Sequence, residues 1–133
     1  MKTAVIFWSG TGNTEAMAQA VAESAGAELF SVSDFSGIIE DYDAIAFGCP
    51  AMGAEVLEEN EFEPFFSGIE SKLNGKKIAL FGSYGWGDGE WMRNWEERCV
   101  ANGAVLACDS VICNEAPDAD AEAACVALGK ALV

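Results

Sequence analysis

Apolar positions along the chain fall into two alternating patterns. Short continuous apolar runs are separated by longer segments in which apolar residues recur every three or four positions. Thr3–Trp8 (TAVIFW) is the first run, rich in strand formers and bounded by glycine. Asn13–Ala25 then carries Met17, Ala20, Val21 and Ala25 at helical spacing, with Gly26 as its stop. Ala27–Val32 predicts a second strand, Ser33–Asp41 a turn with a short helix, and Ala44–Gly48 a third strand ended by Cys49-Pro50. Glu61–Leu73 predicts a helix with Pro64 in its first turn and Asn74-Gly75 after it. Lys77–Phe81 is a fourth strand, followed by a glycine-rich loop from Gly82 to Gly89. Glu90–Ala101 predicts a helix, Ala104–Cys113 a fifth strand and Ala119–Leu132 a last helix.

Strands that read as unbroken apolar runs are covered on both faces. The alternation therefore predicts an α/β fold, a three-layer, doubly wound parallel sheet with helices on each side. A ligand in such a sheet sits beyond the carboxyl ends of the strands. The loops after the first, third and fourth strands are then the ones to inspect.

At 133 residues the chain has the length of one domain, and residues 1–133 are expected to form it. Its 22 acids against 7 bases leave a net charge of −15, with no cation between Lys2 and Lys72. That balance excludes a groove for nucleic acid and disfavours anionic membrane surfaces. The absence of histidine excludes Ser-His-Asp and Cys-His catalysis and histidine-ligated metals. Five cysteines without a CxxC pair suit reduced thiols in the cytoplasm. The apolar run at the start is too short for a signal peptide, and no stretch approaches the ~20 apolar residues of a membrane span.

The first loop, Ser9-Gly10-Thr11-Gly12-Asn13-Thr14, leaves a strand and opens a helix. A helix start offers unpaired N–H groups and partial positive charge, which suit an anion. The dinucleotide fingerprint would need glycine at Glu15, and the Walker loop would need a lysine. A phosphate monoester held by neutral donors remains. In the third-strand loop, Met52 is either a core residue or a soft, polarizable contact for an aromatic face. In the fourth-strand loop, Trp86 lies between glycines, so a flat ligand stacked on its indole explains it better than a place in the core. Trp95, on the following helix, reads as core.

These stretches, WSGTGNTEAMA (8–18), GCPAMG (48–53), EPFF (63–66) and GKKIALFGSYGWGDGEWM (75–92), resemble the flavodoxins, and in particular the short-chain type. The resemblance implies the flavodoxin-like sheet order 2-1-3-4-5 and non-covalently bound FMN. It implies that Ser9, Gly10, Thr11, Gly12, Asn13 and Thr14 hold the FMN phosphate. The Ala51, Met52, Gly53, Ala54 and Glu55 loop would lie at the flavin, with Met52 on one face of the ring and Trp86 on the other. The Gly53 carbonyl would turn toward N5, and Glu55 would accept a hydrogen bond from N3–H. Ser83, Tyr84, Gly85, Trp86 and Gly87 would serve the pyrimidine end through their backbone. Two departures stand out: Ala54 where the family often has a polar residue, and Asn114-Glu115-Ala116-Pro117 with one residue more than the family's NEP.

The function implied is a low-potential one-electron carrier shuttling between the semiquinone and hydroquinone of FMN. A glycine at position 53 allows a carbonyl to accept the N5–H of the semiquinone. Carboxylates at Glu55, Glu58, Glu59, Glu61 and Glu63 disfavour an anionic hydroquinone. The expected partners are redox proteins, low-potential reductases and oxidoreductases, docking a monomer on its acidic face. The alternative is a small FMN-dependent quinone or nitro reductase, for which the short loops offer no substrate pocket.

Overall fold

The computed structural model describes residues 2–133. The strands are β1 (Thr3–Phe7), β2 (Glu28–Ser31), β3 (Ala44–Gly48), β4 (Lys77–Tyr84), β5 (Val105–Leu106) and β6 (Val111–Asn114). The helices are α1 (Asn13–Ala25), α2 (Phe62–Ile69), α3 (Glu90–Ala101) and α4 (Ala119–Leu132). The sheet runs β2-β1-β3-β4-β5, and β6 also pairs with β4. Every strand pair is parallel, with Thr3 opposite Ala44 and Ala44 opposite Lys77 setting the central register. All five residues of β1 and of β3 are buried, as continuous apolar runs require.

Side-chain alternation divides the interior into two layers. Ala4, Ile6, Ile45, Phe47, Ile78 and Leu80 face α2 and α3 through Phe62, Phe66 and Trp95. Val5, Ala46, Ala79 and Phe81 face α1 and α4 through Met17, Val21, Cys125 and Leu128. The close approach of α1 and α4 rests on Gly129, where a Cβ would stand 2.7 Å from the Val21 carbonyl oxygen. Ser24 adds a 2.6 Å hydrogen bond to the Val126 carbonyl across the same contact.

Three expected boundaries change. The fifth strand is broken, because four residues, Ala107–Ser110, lie opposite only Ala79 and Leu80 of β4. An edge position tolerates such a bulge, and Ser110 ties it to α3 through Glu96 at 2.6 Å. The fourth strand runs three residues further, to Tyr84, because β6 pairs with it there. The expected helix over Glu61–Leu73 is α2 followed by a 3-10 turn, Glu70–Lys72. Its start is set by Glu58, whose carboxylate accepts from the N–H groups of Asn60, Glu61 and Phe62 at 2.7–2.8 Å. Burial raises the Glu58 carboxyl pKa, but those three donors outweigh it and hold the group below its ordinary value.

Arg98 joins α2 to α3. It makes a bidentate pair with Glu63 at 2.7 and 2.8 Å, a second with Glu70 at 2.8 and 2.9 Å, and covers the Phe66 ring. These hydrogen bonds to Arg98 lower the carboxyl pKa of Glu63 and Glu70 below that of the unfolded chain. Their stabilisation is therefore complete above the unfolded carboxylate pKa of about 4.3 and disappears as pH falls through the folded values. Arg98→Met is expected to cost about 2 kcal/mol at pH 7, between the ranges for exposed and buried pairs. The gap between wild type and variant should close below about pH 4 in urea unfolding. A gap independent of pH would assign the loss to packing on Phe66.

Candidate functional site

The loops after β1, β3 and β4 meet at the carboxyl edge of the sheet, around a cleft of about 230 Å³. Ser9, Gly10, Thr11, Asn13 and Thr14 line one end. Gly12 stands behind them as the N-cap of α1, with φ +97°, a conformation that glycine adopts freely. No side chain caps α1, so the N–H groups of its first turn stay open to a ligand. Ser9 Oγ accepts from the Gly12 N–H at 3.1 Å and fixes the loop. Thr14 is 1% exposed, and its Oγ1 accepts from the Ser83 N–H at 3.4 Å. The hydroxyl proton of Thr14 has no acceptor among the described residues and is free for the cleft.

Ala51 and Met52 line the middle of the cleft together with Pro50. Met52 and Val56 close a tight hairpin through paired backbone bonds of 2.8 and 3.0 Å. The hairpin tip, Gly53, Ala54 and Glu55, does not line the cleft. Gly53 has φ +48° and Ala54 has no positive φ, which leaves Ala54 unstrained at that position. Glu55 has φ +56°, which the sequence reading did not anticipate. Its side chain turns inward, with Oε1 accepting from Asp88 N–H at 3.0 Å and Oε2 from Trp91 N–H at 3.2 Å.

Ser83, Tyr84 and Gly85 form the far wall. Trp86 and Gly87 lie outside the cleft, and the Trp86 indole is 65% exposed. The exposed Trp86 indole and the partly exposed Met52 are two apolar surfaces that the protein leaves largely uncovered. Trp95 is buried in the core, as its place on the helix predicts. Trp91 is buried too, and its indole N–H donates to the Cys49 carbonyl at 3.1 Å.

Three lining residues, Trp8, Pro50 and Glu115, were not singled out as site residues from the sequence. Trp8 closes the first apolar run and lines the cleft while packing on the edge of the core, with its indole N–H on Glu61 at 3.2 Å. Its position directly before the donor-rich loop was the available signal. Gly10 leaves room for it, since a Cβ there would stand 3.0 Å from the Trp8 ring. Glu115 belongs to the segment that departs from the NEP pattern.

The donor set of the first loop is neutral: hydroxyls, one amide and open backbone N–H groups. Arg93, on α3, is held by Asp88 at 3.1 Å outside the cleft, and no Lys or Arg lines the cleft. Such a cradle fits a single phosphate group at a helix start, and the uncovered Met52 and Trp86 fit a flat aromatic ring. The residues present therefore fit FMN.

Residues 5–129 match the family model described as Flavodoxin. The chain is 46% identical over 132 residues to a flavodoxin of Clostridium beijerinckii, covering 95% of each chain. It is 47% identical over 133 residues to a flavodoxin of Megasphaera elsdenii, covering 96% of this chain and 95% of that one. The solution structure of two-electron reduced Megasphaera elsdenii flavodoxin superposes with a TM-score of 0.86 at 43% identity, over 98% of this chain and 97% of that chain. These similarities favour the electron carrier over the small reductase. With the sheet order and the cleft in agreement, the chain belongs to the flavodoxin family, whose members bind FMN and transfer electrons rather than catalyse a reaction.

Proposed function

We propose that FMN occupies the cleft with its phosphate in the Ser9–Thr14 loop, and that the chain works as a low-potential one-electron carrier. The observation that carries this reading is the uncapped start of α1 behind the left-handed Gly12, with the buried Thr14 hydroxyl free to donate. Bound FMN supplies the electron transfer itself. The chain decides where the cofactor sits and which protonation states it favours. Met52 and Trp86 would cover the two ring faces and keep water from them. The Gly53 carbonyl would accept from N5 when that atom carries a proton. The Cβ space at Gly53 is open, so the glycine is required for its positive φ alone. Both Glu55 oxygens already accept backbone bonds, and each keeps a lone pair, so N3–H would find an acceptor that is held in place. Backbone groups of Gly85 and Gly87 would complete the pyrimidine end, because the Ser83 N–H and carbonyl and the Tyr84 carbonyl are taken by Thr14, Ala51 and Glu115.

Along the segment from the hairpin to α2, Glu55 and Glu58 are buried on backbone N–H groups and Glu63 is paired with Arg98, which leaves Glu59 and Glu61 as its exposed, unneutralised carboxylates. Their charge opposes a further negative charge on the ring, which lowers the second potential. The same face offers redox proteins a negative docking surface around the exposed Trp86 and Met52. We take the chain as a monomer of one domain acting in the cytoplasm. In support, all five cysteines are free, and no described helix is long and apolar enough to cross a membrane.

Thr14→Val tests the phosphate assignment. A hydrogen bond to a charged group contributes about 1.5–3 kcal/mol, so FMN affinity should fall roughly 10- to 100-fold. Riboflavin, which lacks the phosphate, should bind variant and wild type alike. Equal losses for both ligands would remove the phosphate from this loop.

A further inference from the structure

Trp8 and Ser9 line both the cleft and a second hollow, of about 470 Å³, which Glu61 lines from the other side. The first loop therefore begins as a wall with open space on each side, and its shape depends on what braces it. Trp8 supplies a brace. Its own N–H donates to the Gly48 carbonyl at 3.0 Å, which pins its backbone to the end of β3. Its ring lies against Gly10, where an added Cβ would stand 3.0 Å from Cη2 and 3.3 Å from Cζ3. The indole N–H donates to Glu61 Oε1 at 3.2 Å. Glu61 is in turn fixed at the start of α2. Its N–H donates to Glu58 Oε1 at 2.7 Å, and its carbonyl accepts from Phe65 N–H at 3.2 Å. A chain of contacts thus runs from the buried Glu58 through Glu61 and Trp8 to Gly10.

The Glu61 side chain does not cap α2, and its carboxylate has no cation near it to neutralise the charge. Its charge and its hydrogen bond act on an anion in opposite directions. Through space the negative charge opposes a phosphate. Through Trp8 the carboxylate, a strong acceptor, holds the ring on which Gly10 rests. We propose that Glu61 is a positioning residue for the phosphate end of FMN, which keeps the Trp8 indole against Gly10 and so holds the Ser9–Thr14 loop in the shape that takes the phosphate. This rests on the reading of that loop as the phosphate site.

The test is a fluorescence titration of the full chain, freed of flavin, with FMN and with riboflavin, which lacks the phosphate. Wild type is compared with Glu61→Ala, Glu61→Gln, Trp8→Phe and the double variant Trp8→Phe, Glu61→Ala, and each flavin-free protein is melted. Glu61→Ala should melt as wild type does, because the side chain is exposed and caps nothing. It should bind FMN about fivefold more weakly, the equivalent of one ordinary hydrogen bond, with riboflavin unchanged. Glu61→Gln loses the same charge but keeps a carbonyl for the indole N–H, and should bind FMN no more weakly than wild type. Trp8→Phe keeps a ring against Gly10 but has no donor, so adding Glu61→Ala to it should weaken FMN binding no further. Equal FMN affinities for the alanine and glutamine variants would leave the hydrogen bond without a role and overturn the proposal. So would a riboflavin loss equal to the FMN loss, or a full Glu61→Ala loss in the Trp8→Phe background. A wild-type protein that binds riboflavin as tightly as FMN would instead overturn the phosphate reading of the loop itself.

Discussion

Trp95→Ala should destabilise the protein by about 3–5 kcal/mol, the usual range for truncating a buried aromatic. The indole is 2% exposed. It meets Phe62 and Phe66 nearly edge-on, at centroid distances of 5.4 and 5.7 Å. Both rings belong to α2, and Phe66 packs edge-on against Phe47 of β3, so the cavity would open between α2, α3 and the sheet. The Trp95 indole N–H has no hydrogen-bond partner despite its burial. A buried unsatisfied donor costs about 1–3 kcal/mol. Trp95→Phe removes that donor while keeping a ring, and should cost much less than Trp95→Ala, about 1 kcal/mol or less once the two effects offset. Urea unfolding of both variants checks this. A phenylalanine variant as unstable as the alanine one would mean that the N–H contributes to the packing, for instance over a phenylalanine face.

Much of this arrangement was legible in the chain because its signals are local. The apolar runs of β1 and β3, the helical spacing of α1 and the glycine-bounded loops each follow from a few neighbouring residues. Their order then implies that the loops after β1, β3 and β4 share one edge, and they do. The edge strand was less legible. Ala104–Cys113 looks like one strand, but the bulge at Ala107–Ser110 depends on how β6 re-enters the register of β4. The inward turn of Glu55 was not legible either. A carboxylate in an acidic segment looks like a solvated charge, and only the placement of Asp88 and Trp91 N–H shows otherwise. The place of Glu115 in the cleft lining escaped because its backbone is left-handed, which local sequence indicates well only for glycine and asparagine. Trp8 was absorbed into the first strand by its hydrophobicity, although the strand ends at Phe7.

Gly87→Ala should weaken FMN binding by about 100- to 1000-fold, the equivalent of two bonds to a charged group at the low end of their range. Gly87 has φ +90°, and a Cβ there would overlap the Glu55 carboxylate. That carboxylate bridges the hairpin of Met52–Val56 to the start of α3, through Asp88 and Trp91 N–H. In the proposed FMN site the hairpin would present Met52 and the Gly53 carbonyl, and the loop before α3 would present Trp86. Forcing Glu55 out releases both sides of the ring site at once. Stability of the flavin-free protein should fall by less, about 2–3 kcal/mol, from the strained φ and the lost cap of α3. A double-mutant cycle with Glu55→Ala separates these causes. In the Glu55→Ala background there is no carboxylate to displace, so adding Gly87→Ala should cost only about 1–2 kcal/mol for the φ, with little further loss of FMN affinity. Additive effects in the cycle would show that the two residues act independently. The hairpin and the Trp86 loop would then be held by their own turns, and Glu55 would be only a ligand to the ring.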